Sequence, residues 1–363
     1  MSCALRLQVI LVAFIVCASR GAAQESTTGL DLRATITGQL AASNVLADAP
    51  RSGAPIVEGF RTIIYPTWTI SSRWFVAGAG QFSTRPFYYQ DFSTPGYGAK
   101  GNILQASLNY ARIWEKGSFL FRAGEMPTAF GLFPLHYDDM DNPLVDLPMA
   151  YGYYGSPVSI DSVTAAQIEL TRDKWDSRVQ FANSSPANPQ TPTGKDQHGN
   201  WAAGLGYTIK QGFRVGLSGY RGPYLNRYYY SWGPSRYKLS QYPATGLGAE
   251  VNWAHGHTNL QGEIQRFEMP YPASPALRQT VSYGEVKQVL SPRWYVAARV
   301  GYSSCNTSAT GESVETAVGF RPNRIQLIKI SFETEHYSAA NPQFENTFAV
   351  QLITPLHKSL ANH

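Results

Sequence analysis

Cysteine is nearly absent from this chain of 363 residues, which contains only Cys3, Cys17 and Cys305. Cys3 and Cys17 lie in an N-terminal segment that we expect to be removed, so a single cysteine remains in the mature chain. One cysteine forms no internal disulfide and lacks the companions of a structural zinc site. The sequence therefore excludes a disulfide-stapled fold and offers no clear thiol nucleophile.

Charge and long apolar runs are also scarce. Charged residues make up 15% of the chain, and the net charge is +5. No Lys/Arg cluster stands on a helix, which argues against nucleic acid as a partner. Beyond the N-terminal segment, no run reaches the roughly 18 apolar residues of a transmembrane helix. The 32 glycines and the 13% of aromatic residues are typical of an all-β protein.

The first 23 residues have the three parts of a secretory signal peptide. Arg6 precedes an apolar run over residues 7–16, and the small residues Gly21-Ala22-Ala23 suit a cleavage site. We predict that residues 1–23 are cleaved on export and that residues 24–363 form a single domain. Loss of Arg6 and Arg20 lowers the net charge by two, from +5 to +3.

Polar and apolar residues alternate along most of the mature chain. In residues 31–40, Asp31, Arg33 and Thr35 share one face, whereas Leu32 and Ile36 lie on the other. Period two is the signature of a strand with one polar and one apolar face. Residues 60–70, 73–83 and 277–290 follow it less cleanly. The pattern predicts about sixteen strands, near residues 31–40, 59–70, 73–86, 102–114, 118–126, 160–171, 175–184, 200–209, 213–220, 243–254, 258–268, 278–290, 293–303, 313–321, 324–336 and 344–354.

The connections between these strands alternate in length. Two or three residues join alternate pairs, as in Ser71-Ser72 and Lys210-Gln211-Gly212, and longer segments join the others. An outer-membrane barrel has this order, with its short turns on the periplasmic side, whereas a sandwich or propeller has no reason to keep it. Most tryptophans fall at the short-turn ends, as in an aromatic girdle. We therefore predict an all-β, transmembrane antiparallel barrel.

The longest connection, residues 127–159, is acidic. It contains Asp138, Asp139, Asp141 and Asp146. A loop of this length in a compact domain is usually functional or disordered, and its aromatic residues argue against disorder. We interpret it as a loop that narrows a pore.

Strand number, short turns and a long third loop together resemble a Gram-negative outer-membrane porin. The segment Phe121-Arg122-Ala123-Gly124-Glu125-Met126-Pro127-Thr128-Ala129-Phe130-Gly131 is similar to the strand-to-loop passage of phosphate-selective-type porins. The resemblance implies a third loop folded into the lumen and passive diffusion of small hydrophilic solutes across the outer membrane. It also implies a homotrimer in contact with lipid and lipopolysaccharide. Such barrels commonly end on an aromatic residue, whereas this chain continues past Phe348, which leaves the register of the last strand open.

A barrel of about sixteen strands is wide enough for an aqueous channel. With the third loop inside it, the four aspartates are predicted to face lumen arginines and to filter solutes by size and charge. The alternative is that the aspartates occupy turns or are solvated near the outer surface. The candidate lumen arginines are Arg33, Arg122, Arg178, Arg214 and Arg299.

The connection over residues 221–242 is basic and contains no acid. Its cations are Arg221, Arg227, Arg236 and Lys238. A basic outer mouth would concentrate anions and favour a weak anion preference. Contact with lipopolysaccharide phosphates explains the same residues equally well.

Two other function classes stay open, a barrel hydrolase and a non-conducting ligand-binding or adhesive barrel. His136 beside Asp138 and Asp139 is the best local arrangement for a hydrolase, but no G-x-S-x-G context accompanies it. The pair Asp139 and Asp141 lacks the spacing and glycine of a calcium loop. We expect no enzymatic activity, no metal and no other cofactor.

Overall fold

The computed structural model describes most of the chain beyond the predicted signal peptide. The described residues are 28–44, 56–85, 87–88, 98–151, 158, 161–194, 197–225, 239–272, 274–306, 310–338 and 344–361. The predicted signal peptide and its cleavage site lie outside these ranges.

Sixteen antiparallel strands close into one barrel, which confirms the predicted fold class. The strands are β1 (Gly29–Ser43), β2 (Ile56–Thr69), β3 (Trp74–Arg85), β4 (Gly98–Trp114), β5 (Gly117–Met126), β6 (Val163–Arg172), β7 (Trp175–Ala182), β8 (Asn200–Lys210), β9 (Phe213–Pro223), β10 (Pro243–His255), β11 (Thr258–Met269), β12 (Leu277–Ser291), β13 (Trp294–Cys305), β14 (Gly311–Phe320), β15 (Leu327–Tyr337) and β16 (Phe344–Ala361). Short 3-10 helices in the described loops are Phe133–His136, Met149–Tyr151 and Leu239–Gln241. No helix of the described ranges is long and apolar enough to cross a membrane.

The last strand is longer than predicted, because it continues to Ala361 instead of ending near residue 354. It pairs with all of β1, from Gly29 opposite Ala361 to Ser43 opposite Thr347. The extra residues therefore complete the barrel, and the two ends of the described chain meet at the short-turn rim.

The turn between β14 and β15 is longer than the gap between the predicted strands 313–321 and 324–336. It spans residues 321–326, because β15 begins at Leu327. The side-chain oxygen of Asn323 accepts hydrogen bonds from the backbone N–H groups of Ile325 and Gln326, at 2.9 and 2.8 Å. These hydrogen bonds stabilise a turn that is longer than the alternation of residue types indicated.

Polar side chains point into the barrel and apolar side chains point out. On strands β13 and β15, Arg299 and Lys329 are buried in the interior, whereas Val300 and Phe332 face outward with 57% and 48% of their surface exposed. Such an exterior suits hydrocarbon, and a polar interior suits water.

Outward-facing aromatic rings gather at the short-turn rim, as the tryptophan positions predicted. Trp74 packs on Tyr110 with ring centroids 5.0 Å apart, and Trp175 packs on Tyr207 at 4.6 Å. Trp201 lies at the opposite end, 4.7 Å from the ring of Phe181. Aromatic rings at both ends match the two interfaces of a membrane.

We predict that Val300→Arg strongly destabilises the barrel in a bilayer. Val300 lies on the outward face near the middle of β13, where a lipid-facing arginine costs about 2–4 kcal/mol at the midplane. The measurement is the free energy of unfolding from urea titration in lipid vesicles, with Val300→Ala as the control. Equal stability of the two variants would contradict a lipid-facing position.

Candidate functional site

The connection between β5 and β6, residues 127–162, is called L3 below. Its described residues contact the inner wall at widely separated strands, including β1, β7, β11 and β15. A loop at the rim would not reach all of these strands. L3 therefore lies inside the barrel, as predicted.

The root of L3 is fixed by the wall of β7. The amide of Gln180 donates a hydrogen bond to the carbonyl of Pro127 at 2.8 Å and accepts one from the N–H of Ala129 at 3.1 Å. The Arg178 guanidinium donates to the carbonyl of Gly131 at 2.6 Å. Gly131 has a φ of +77°, and a Cβ there would lie 1.8 Å from the hydroxyl of Tyr151. Only glycine fits this bend.

A buried ion pair holds the middle of L3 against β1 and β2. The guanidinium of Arg61 lies 3.0 Å from a carboxylate oxygen of Asp139, and both side chains are almost fully buried. Thr37 donates a hydrogen bond to the other carboxylate oxygen at 2.6 Å. The ring of Tyr137 stacks over the guanidinium, 4.2 Å from its carbon. Removing either charge would leave the other one buried without its counterion.

The far end of L3 is held by cations that bind its backbone. Lys329 donates hydrogen bonds to the carbonyls of Asn142 and Leu144, at 2.9 and 2.6 Å. Arg299 donates to the carbonyl of Asp146 at 2.8 Å. Glu315 accepts from the N–H groups of Val145 and Asp146, at 2.8 and 3.2 Å. The wall thus satisfies both donors and acceptors of a loop that has no regular structure here.

Apolar packing secures the remaining side of L3. Phe130 lies 5.5 Å from Phe267 of β11, and Phe133 lies 5.4 Å from Tyr151, measured between ring centroids. The hydroxyl of Tyr151 donates a hydrogen bond to Glu263 of the wall at 2.8 Å. These rings belong to one buried cluster that extends over the inner faces of β8 to β12.

The five candidate lumen arginines contact carboxylates of the wall, and two of them also contact the backbone of L3. Arg299 and Arg178 contact the backbone of L3 and also lie within 4 Å of wall carboxylates, and the other three arginines pair with the wall. The pairs are Arg33 with Asp31, Arg122 with Glu169, and Arg214 with Asp176 and Glu250.

The four aspartates also differ in exposure. Asp139 and Asp146 are buried, with 2% and 4% of their surface exposed, so they do not line an open passage. Asp138 is half-buried and Asp141 is exposed. L3 crosses the lumen as predicted, and the carboxylate of Asp139 is engaged in holding it there.

Arg61 is the residue that sequence reasoning missed. It lies in the stretch 60–70, where the alternation is irregular, and so its inward phase was not recognised. The available signal was its charge, because an arginine in a membrane strand is far more stable on the inner face.

The basic outer mouth is described only in part. Arg221 stands opposite Trp201 of the neighbouring strand, on the outward phase and exposed. This position places Arg221 on the outward side of the long-loop rim. Arg227, Arg236 and Lys238 lie outside the described residues.

The carboxyl group of Asp146 sits in an acidic environment. Burial raises the pKa of Asp146 well above its ordinary value, and the nearby Glu315 and Glu335 add to the shift. A protonated Asp146 removes one negative charge from this crowded region.

Two cavities lie in the lumen on the short-turn side of L3. One has a volume of about 520 Å³ and is lined by Arg122, Arg178 and Arg214 together with amides and hydroxyl groups. The other has a volume of about 800 Å³ and lies beside β1 to β4. Within the described ranges, no group of three or more His, Cys, Asp or Glu residues is arranged to hold a metal ion.

We predict that Arg61→Met destabilises the protein more than the loss of an exposed ion pair would. Leaving the buried Asp139 carboxylate without its cation costs about 3–5 kcal/mol, and adding Asp139→Asn should restore part of the loss. The measurement is the free energy of unfolding, combined with protease cleavage within L3. Arg33→Met is the control, since its more exposed pair with Asp31 contributes at most about 1 kcal/mol. Equal effects of the two single variants would contradict the role of the clamp.

We also predict that L3 is held less firmly as the pH rises. The unfolded Asp146 releases its proton near its ordinary pKa of about 4, before the folded form does, so stability falls above that pH. The measurement is the rate of proteolysis of L3 between pH 5 and pH 8. Asp146→Asn should flatten this dependence, whereas Asp141→Asn, an exposed acid of the same loop, should not. An unchanged slope in Asp146→Asn would argue against this assignment.

The fold is shared with outer-membrane proteins of known structure. The anion-selective porin from Comamonas acidovorans superposes with a TM-score of 0.60 at 8% sequence identity, over 90% of this chain and 99% of that one. OmpF of Salmonella typhi, in a complex with daunomycin, gives 0.60 at 9% identity over 91% and 98%. The trimer form of OmpT, an outer membrane protein of Vibrio cholerae, gives 0.59 at 10% identity over 91% and 100%. No protein-family model and no curated protein sequence matches the chain. At these identities the likeness establishes the barrel fold.

Proposed function

We propose that this protein is an outer-membrane porin through which small hydrophilic solutes diffuse passively. The observation that carries the proposal is a sixteen-strand barrel with a polar interior and an apolar exterior, whose third long loop lies in the lumen. A loop in that position narrows the channel and sets a size limit. The likeness to the phosphate-selective type rests on the short segment 121–131 alone.

The proposed location is the outer membrane of a Gram-negative bacterium, reached through a cleaved signal peptide over residues 1–23. Lipid and lipopolysaccharide would surround the apolar exterior, and the outward Arg221 at the long-loop rim suits a phosphate group. A homotrimer is part of the proposal, supported by the trimer form of the similarly folded OmpT.

Ion selectivity is proposed to be a weak preference for anions. Near L3 the lumen arginines are largely neutralised, since Arg122 lies 3.0 Å from Glu169 and Arg214 lies 2.6 Å from Asp176. Paired charges produce little net field for a passing ion. Any preference would then come from the basic segment 221–242.

A non-conducting ligand-binding barrel is the second candidate. The observation that favours it is the packing of L3 against several wall sectors, by ion pairs on one side and by aromatic rings on the other. We propose no hydrolase activity, because Asp138 and Asp139 bond to the wall hydroxyls of Thr35 and Thr37 and are engaged in holding L3.

The test is the conductance of the purified full chain in planar lipid bilayers. We expect stepwise, long-lived open channels, because the barrel is wide enough for water and ions. Vesicles that contain the protein should swell in small sugars faster than in larger ones. The absence of any conductance step from protein that is folded by circular dichroism would favour the non-conducting barrel.

The same bilayers test the ion preference through the reversal potential in a salt gradient. We expect a small potential of the sign that anions produce. Combined substitution of Arg227, Arg236 and Lys238 by glutamine should move it towards zero, whereas Arg112→Gln, on an exposed position of β4, should not. A clear cation preference in the unmodified protein would contradict this part of the proposal.

A further inference from the structure

The inner wall is apolar where β2, β3 and β4 meet. Ile63, Ala79 and Leu104 form a buried cluster on this wall, and the rings of Tyr65 and Tyr137 pack against it. These side chains explain why residues 60–70 and 73–83 alternate so irregularly. Apolar side chains that line a cavity are typical of a small-molecule binding site.

A cavity of about 800 Å³ opens in front of this apolar wall. Leu104 lines the cavity on the β4 side, and Met140 lines it on the L3 side. Ile325 and Leu356 line it towards the short-turn rim. The volume falls within the range of about 300–1,000 Å³ that is usual for small-molecule sites. An apolar body of drug-like size therefore fits here.

The acidic side chains that line this cavity lie at the end formed by L3. Asp138 and Asp141 line its L3 end, and Asp141 is exposed. Asp138 accepts hydrogen bonds from neutral donors, the hydroxyl of Thr35 and the N–H of Met140, both at 2.8 Å. Neither of these donors carries a net charge.

The opposite end of the cavity is lined by basic side chains. Arg33 and His357 line the cavity near the short-turn rim, and both contact Asp31, at 3.2 and 2.5 Å. The carboxylate of Asp31 thus balances the charge of Arg33 at this end. The two ends together favour a ligand whose positive group lies at L3.

We propose that this cavity binds a small amphipathic organic cation. Its ammonium group meets the carboxylates of Asp138 and Asp141, and its apolar body lies against Ala79 and Leu104. The inference goes beyond passive diffusion, since binding does not require that the barrel conduct.

The experiment is isothermal titration calorimetry of the full chain, folded in non-ionic detergent at pH 7. The probe is 2-naphthylmethylamine, and 2-naphthalenemethanol is its uncharged analogue. We expect the amine to bind about tenfold more tightly than the alcohol, as partly screened charges a few ångströms apart allow. Asp141→Asn should weaken binding of the amine about fivefold. Ile325→Lys, at a position 57% exposed, should weaken it further by placing a like charge in the cavity.

Glu312→Gln is the matched control, because it removes an exposed carboxylate from the outward face of β14. It should leave the affinity for the amine unchanged. Equal binding of amine and alcohol, or unchanged amine binding in Asp141→Asn and Ile325→Lys, would overturn the proposal. Circular dichroism verifies that each variant is folded. A barrel that conducts but shows no charge-dependent binding would refute this site and leave the proposed porin function intact.

Discussion

Closure of the sheet is the constraint on which the rest of this structure depends. A membrane offers no water to the backbone, so every strand must find hydrogen-bond partners on both sides. Here β16 extends to Ala361 and pairs along the whole of β1, which removes both edges of the sheet. Once the barrel is closed, each strand side chain faces either lipid or lumen. This is the physical reason for the period-two pattern of the sequence.

The polar lumen in turn makes the position of L3 possible. An irregular loop inside a barrel has backbone groups that hydrogen bonds within the loop do not satisfy, and these need partners on the wall. Lys329, Arg299 and Glu315 supply them at one end of L3, and Arg61 holds the acid Asp139 at another. Many charges of this interior therefore serve to hold the loop, and fewer of them face passing solutes than a count of lumen arginines suggests.

L3 also borders two cavities of unlike chemistry. On the short-turn side, one cavity is lined by arginines that are paired with acids, and the other combines an apolar wall with two aspartates. The charges of the first are paired across the wall, whereas the second has an apolar side. The same loop contributes residues to both cavities, among them Pro127 and Pro134, so a shift of L3 would alter both.

The amino-acid sequence by itself determined the sixteen strands, the two faces of most of them and the ends at which the long loops lie. These features are local, because alternation and turn composition are properties of neighbouring residues. The tertiary structure alone decided which side chains meet L3. Arg61 is 78 positions from Asp139, and Arg299 is 153 positions from Asp146, so their contacts depend on strand register and on the path of the loop across the barrel. No pattern of neighbouring residues encodes that path.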